Sequence, residues 1–291
     1  MASDTSDSAG AGRVDAHHHV WDLDVRDEPW ITGPAMAPIR RTFEVSDLAP
    51  HVEAAGITTT VLVQTLSDIE ETRDFLALAA SSTLVGAVTG WVDLTAPSVT
   101  DDLAALREAP RGDHLRAIRH GVQGEDDPAW LCRPDVRRGL TAVAEAGLHY
   151  ELLTMPVQLP AAVATVAALP ELPFVLDHCS KPLIATGVHE PWAGQIRQLA
   201  SHPNVACKLS GLVTEADWAT WDVETLRPYV DVVLEAFGPD RVMFGSDWPV
   251  CLLASSYADW VAAAGELTAH LDAAERADLF GRTARRFYAL V

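Results

Sequence analysis

The chain has 291 residues, 48% hydrophobic and 21% charged, which excludes a disordered polymer and supplies a core for one large domain or two ordinary ones. Its 41 acidic against 21 basic residues leave a net charge of −20, so nucleic acid and anionic membranes are not expected partners. An anionic substrate would need arginines of its own.

Residues 1–13 are mostly Ser, Asp, Ala and Gly, without the apolar stretch of a signal peptide, and are expected to be a disordered tail ahead of one domain over 14–291. No apolar run approaches the ~20 residues that cross a bilayer. Cys132, Cys179, Cys207 and Cys251 are far apart in sequence and form no Cys-x-x-Cys pair. They read as reduced thiols in a cytoplasmic protein.

From Val14 onward, apolar strand-like runs alternate with helix-like stretches. The runs are 14–19, 59–64, 84–91, 115–120, 148–153, 173–178, 204–210 and 241–247. Most are continuous in polarity, as parallel strands covered on both faces require. The helical stretches between and after them are 46–55, 68–80, 98–109, 134–146, 157–168, 190–201, 223–237, 257–270 and 273–288, with Gly56, Gly147 and Gly238 as stops. Eight β-then-α units predict a single (β/α)8 TIM barrel, a fold of ~250 residues. A doubly wound sheet is the rival, but no G-x-G-x-x-G follows the first strand.

Barrel chemistry gathers where strands end. His17 and His19 close the first run, two residues apart, so strand alternation puts them on one face ~7 Å apart at the backbone. Arg119-His120 close the fourth run, Asp177-His178 the sixth and Asp247-Trp248 the eighth, while the seventh carries Lys208 and Ser210. Converging imidazoles can grip a divalent ion or orient a polar substrate atom. Asp247 can accept a proton from water or ligate a metal, or it can merely cap the next helix. His178 can equally be a hydrogen-bonded core residue, and Lys208 half of a buried ion pair. Alternation lets Arg119 or His120 face the lumen, hardly both. The long first loop, 22–43, carries Trp30 and Arg41 and is expected to shape a substrate pocket.

With these residues placed, the chain resembles the amidohydrolase superfamily in its amidohydrolase 2 branch, and more narrowly its sugar lactonases, the L-fuconolactonase and L-rhamnonolactonase group. The blocks that carry the resemblance are Val14-Asp-Ala-His-His-His-Val-Trp21, Glu28-Pro-Trp-Ile31, Ile118-Arg-His-Gly-Val-Gln123 and Asp127-Pro-Ala-Trp-Leu131. Leu176-Asp-His-Cys-Ser-Lys-Pro182, Cys207-Lys-Leu-Ser-Gly211, Met243-Phe-Gly-Ser-Asp-Trp-Pro-Val250 and Thr283-Ala-Arg-Arg-Phe-Tyr288 complete it.

The resemblance implies that His17, His19, His178 and Asp247 are catalytic and would ligate a divalent ion, zinc or manganese, if one is bound. Members that hold a metal firmly usually add a fifth-strand histidine. Here that strand runs Glu151-Leu-Leu-Thr-Met-Pro-Val-Gln158 and has none. No organic cofactor is implied. The reaction implied is hydrolysis of a small sugar-derived lactone to its hydroxy acid. Asp247 would activate water, the histidines would polarise the carbonyl, and Trp30, Arg41, Arg119, His120, Lys208 and Trp248 would contact substrate. Rival readings are a metal-dependent decarboxylase of an aromatic or unsaturated acid, an amide or imide hydrolase, and a non-catalytic ligand-binding barrel. A homo-oligomer stays open.

Overall fold

The computed structural model describes residues 12–290. Residues 1–11, most of the expected tail, and Val291 lie outside the described residues. Arg13, expected in the tail, instead opens the first strand and donates from Nη1 to Ala55 O at 2.8 Å.

Eight strands form one all-parallel sheet in sequence order: β1 Arg13–His18, β2 Ile57–Val63, β3 Val85–Gly90, β4 Leu115–His120, β5 His149–Leu152, β6 Phe174–Leu176, β7 Val205–Leu209 and β8 Val242–Phe244. Helices return the chain between them: α1 Val45–Ala54, α2 Ile69–Ser81, α3 Val99–Glu108, α4 Pro134–Glu145, α5 Leu159–Ala168, α6 Trp192–Ala200 and α7 Val223–Phe237. After β8 come α8 Tyr257–Leu267, α9 Ala273–Ala277 and α10 Thr283–Tyr288. This is the expected (β/α)8 barrel. The final helix differs from a single span over 273–288, because a π-turn at Asp278–Arg282 separates α9 from α10. Gly281 packs there against Gly12, where a β-carbon would come within 3.0 Å of the Gly12 carbonyl.

Short strands set the geometry of the site. β6 and β8 each leave the ladder after three residues, earlier than their apolar runs suggest. The chain beyond β8 closes the barrel instead: Asp247 N donates to His17 O at 2.8 Å and His19 N to Trp248 O at 2.7 Å. The residues that seal the cylinder are therefore the ones the sequence marks for chemistry.

Two apolar layers hold the fold. The larger lies between sheet and helices and includes Leu62, Val88, Ile118, Leu152, Leu209 and Phe244. The smaller fills the barrel axis with Val14, Ala16, Val61, Ala87, Ala117 and Ala206, and Tyr288 of α10 packs into it. The alanines leave room for charged side chains above them. Cys132, Cys179, Cys207 and Cys251 are all free thiols. Among the described residues, no helix is long and apolar enough to cross a membrane.

Candidate active site

β1 delivers its histidines through an irregularity. Val14 and Ala16 pack on the barrel axis, so strict alternation would turn His17 outward. The register against β2 shifts between Asp15 and His18, and this bulge brings the His17 ring inward as well. His18 is left outside, hydrogen-bonded to Thr60 Oγ1 at 2.9 Å. Asp15 fixes the turn by accepting from Ser246 N at 2.8 Å and Tyr257 Oη at 3.0 Å. Burial pushes its carboxyl up to about 6, against those same hydrogen bonds.

His178 and Asp247 arrive on strained backbone. His178, Cys179, Ser180 and Lys181 all have φ between 48° and 58°, and Asp247 has φ 57°. Such left-handed runs need the surrounding structure to hold them. Gly211 sits behind His178, where a β-carbon would lie 2.6 Å from Nδ1, so only glycine fits.

The outcome is convergence on one oxygen. Asp247 Oδ1 lies 3.3 Å from His19 Nε2, 3.8 Å from His17 Nε2 and 3.8 Å from His178 Nε2. His19 Nδ1 is 2.7 Å from the Val63 carbonyl, which can only accept, so a neutral His19 carries its proton on Nδ1. Its bare Nε2 then faces Asp247 Oδ1 and also His17 Nε2, 3.2 Å away. The bare His19 Nε2 and the Asp247 carboxylate, two acceptors 3.3 Å apart, call for a proton or a cation between them.

The protonation states suit a metal. Burial, then Lys208, holds His17 well below the usual histidine range, and burial lowers His178 to about 4. Burial raises Asp247, but His178 and the His19 contact outweigh it and the carboxyl stays below its ordinary value. Neutral imidazoles beside a carboxylate are what a divalent ion requires. His17, His178 and Asp247 offer ligand atoms within 4.8 Å of one another, so they fit such an ion without a fifth-strand histidine. His17, Glu151 and Asp177 form a second such group. That group does not fit, because the Lys208 ammonium already fills it, 2.6 Å from Glu151 Oε2 and 3.1 Å from both Asp177 Oδ1 and His17 Nδ1.

A cleft of about 1180 Å3, including its open mouth, lies over Asp247, His19 and His178. Arg119 and Trp30 line it. Arg119 is 3% exposed, clamped between Gln64, Asp177 (3.1 Å) and His17 Nε2 (3.1 Å). Trp30 is oriented by Glu28, its Nε1 donating to Oε2 at 2.6 Å.

Four expected substrate contacts lie elsewhere. His120 is the one of its pair that turns away from the cleft: its ring stacks on Trp130 at 4.3 Å and bonds Trp91 and Glu125. Lys208 has no solvent exposure and is the buried ion pair, beneath the histidines rather than in the cleft. Trp248 is buried edge-on against Phe43, 5.2 Å between centroids. Arg41 lies over the Phe43 ring, at 3.7 Å, and reaches Asp47. The sequence reading missed Gln64, Lys181, Glu215 and Trp218, which line the cleft, and Glu151 beneath it. Glu151 left a signal, a charge inside the apolar run of β5, and Gln64 left another, as the residue that closes the second apolar run.

The comparisons with known proteins agree with this geometry. An L-fucono-1,5-lactonase of Burkholderia multivorans is 40% identical over 293 residues, covering 97% of each chain. An L-fucono-1,5-lactonase of Burkholderia ambifaria is 38% identical over 95% of each. A crystal structure of a Burkholderia multivorans amidohydrolase with bound zinc superposes with a TM-score of 0.89 at 38% identity, over 96% of this chain and 99% of that one. The amidohydrolase family profile matches residues 14–290, and the chain belongs to that family.

Proposed function

We propose that this protein hydrolyses a sugar-derived lactone to its hydroxy acid. The observation that carries the reading is the convergence of His17, His19 and His178 on Asp247 Oδ1 at 3.3–3.8 Å under an open cleft. Two near full-length relatives named as lactonases support the choice of substrate.

In this reading Asp247, ionised because its pKa is held down, takes a proton from water as the water oxygen bonds to the ring carbonyl carbon. The ring C–O bond then breaks and Asp247 returns the proton to the leaving oxygen. The hydroxy acid formed is ionised at neutral pH and releases one proton to solvent. Arg119 places positive charge on the wall beside the developing oxyanion, and each preorganised group of this kind contributes ~3 kcal/mol to lowering the barrier. His19, fixed by the Val63 carbonyl, and His178, whose Nδ1 lies 2.9 Å from Ser210 Oγ, keep their Nε2 edges toward the reacting centre. His17, His178 and Asp247 would hold a divalent ion, which when bound supplies a Lewis-acid contact to the carbonyl and acidifies the attacking water.

A pH-indicator assay against matched lactones and lactams, on protein of measured zinc content, tests the assignment. Proton release with sugar lactones is expected; a lactam opens to an ammonium carboxylate with no net proton, so its turnover is read with a primary-amine reagent, and none is expected there. Turnover of lactams alone, or carbon dioxide release from a carboxylated substrate, would replace it.

A further inference from the structure

We propose that Lys181 and Glu215 form the subsite that reads the hydroxyls of a neutral, polyhydroxylated lactone; this deepens the lactonase reading and rests on it. Both side chains line the cleft that holds Asp247. Lys181 Nζ and Glu215 Oε1 stand 3.6 Å apart, an ion pair stretched beyond hydrogen-bond length, with the side chains 23% and 18% exposed. Neither side chain hydrogen-bonds any other described residue. An ammonium with three donors and a carboxylate with free acceptor sites therefore face the cleft with their capacity unspent.

A hydroxyl is the group that suits this gap, since it accepts from the ammonium and donates to the carboxylate at once. Adjacent hydroxyls on a sugar ring let each partner take its own. The pair also lies near the chemistry: the Lys181 charge lowers the pKa of both Asp247 and His178, and the Asp247 charge raises that of Glu215. Glu215 is itself raised, by burial first. Trp30 and Trp218 line the same cleft and offer apolar faces for the C–H side of a sugar ring.

Charge accounting argues for a neutral substrate. Among the described residues, Arg119 and Lys181 are the cationic side chains lining the cleft. The charge of Arg119 is balanced by Asp177, and that of Lys181 by Glu215. A lactone bearing a carboxylate would find no side-chain cation without its own counter-charge and would meet the anions of Glu215 and Asp247.

The test compares kcat/KM for a hydroxylated aldonolactone with that for unsubstituted δ-valerolactone, in wild type, Glu215→Gln and Lys181→Met. Wild type is expected to prefer the hydroxylated lactone, and each variant to shrink that preference about tenfold or more, mainly through KM. Melting temperatures within a few degrees of wild type would confirm that the variants fold. Equal losses on both lactones would overturn the subsite, since a structural or purely electrostatic role acts on both alike. A wild type that opens both lactones equally would also overturn it while leaving the reaction assignment intact. A wild type that opens neither overturns the reaction assignment itself, and the subsite with it.

Discussion

Lys208 Nζ lies 2.6 Å from Glu151 Oε2 and 3.1 Å from His17 Nδ1, and no part of either charged side chain reaches solvent. The barrel axis thus carries an ion cluster where most barrels carry aliphatic layers. Glu151 Oε1 also accepts from Thr89 Oγ1 at 2.7 Å and Tyr288 Oη at 2.5 Å, so the last helix is tied to the floor of the site. Burial disfavours the Asp177 carboxylate, but Lys208, His17 and Arg119 overcome that and hold it well below the usual range. Burial, then the Lys208 ammonium, keeps His17 neutral against the opposing pull of Asp177, and its Nε2 is turned toward Asp247.

Removing one partner from such a cluster leaves an uncompensated buried charge. Lys208→Met is expected to lower stability by about 3–5 kcal/mol, because Glu151 loses its counter-ion and Asp177 keeps only Arg119. Glu151→Gln in the same chain removes one stranded charge and should recover part of that loss. Urea denaturation of wild type, both single variants and the double variant gives the coupling. Strict additivity would show that the cluster does not act as a unit.

Asp247→Asn is the sharpest test of the proton-transfer role. Asn is among the few residues that tolerate the left-handed backbone found here, φ 57°, so the variant should fold with wild-type stability. Its amide cannot take the proton from water, and kcat should fall about a thousandfold or more. Asp247→Ala should lose activity too and also destabilise the fold, since alanine gains nothing from that backbone region. Near wild-type turnover in Asp247→Asn would remove Asp247 from the role of base.

The activity profile should lack the inflection that a free histidine gives near pH 6.5. His178 is lowered to about 4 by burial, and Asp247 lies below its ordinary 3.8. Both groups therefore keep their working protonation states, neutral and anionic, as pH falls from 8 to 5, and lose them only lower still. A plot of log kcat/KM is expected to be flat over pH 5.5–8. A fall through pH 6–7 would mean that a group other than His178 and Asp247, an ordinary imidazole or water acidified by a bound ion, controls the reaction.

What the sequence disclosed and what it hid follow from periodicity. Strand ends are visible because apolar runs stop, so His17, His19, His178 and Asp247 could be placed at one rim. Their convergence depends on features without a period: the bulge that turns His17 inward beside Ala16, and the left-handed turns at His178 and Asp247. Alternation left Arg119 and His120 undecided. The β4–β5 register settles them, pairing Arg119 with Glu151 on the axis side while His120 stacks outward on Trp130. Lys181 and Glu215 sit on a turn and a loop, where spacing carries no information about direction. Lys208 was legible as either contact or ion pair, and only the positions of Glu151 and Asp177 decide between them.

A last consequence lies at the edge of the cleft, where Thr65 lines it. The Thr65 hydroxyl stands between two carboxylates, 2.5 Å from Glu71 Oε1 and 2.9 Å from Glu28 Oε1, with one hydrogen for two acceptors. One carboxyl must keep a proton for both contacts to be favourable, and Glu71 is the better candidate, pushed up to about 7 by burial despite its hydrogen bonds from Thr65 and Leu66. A carboxyl whose pKa is raised on folding binds protons that the unfolded chain has released. Its contribution to stability is therefore full below about 4.5 and is lost as pH rises to about 7. Glu71→Gln keeps an oxygen for the Thr65 and Leu66 amides and offers an NH2 to the Thr65 hydroxyl, with nothing to titrate. The variant should match wild type near pH 5 and exceed it at pH 8, read as the difference in urea midpoint at the two pH values. A difference that does not change with pH would place the raised proton affinity on another group.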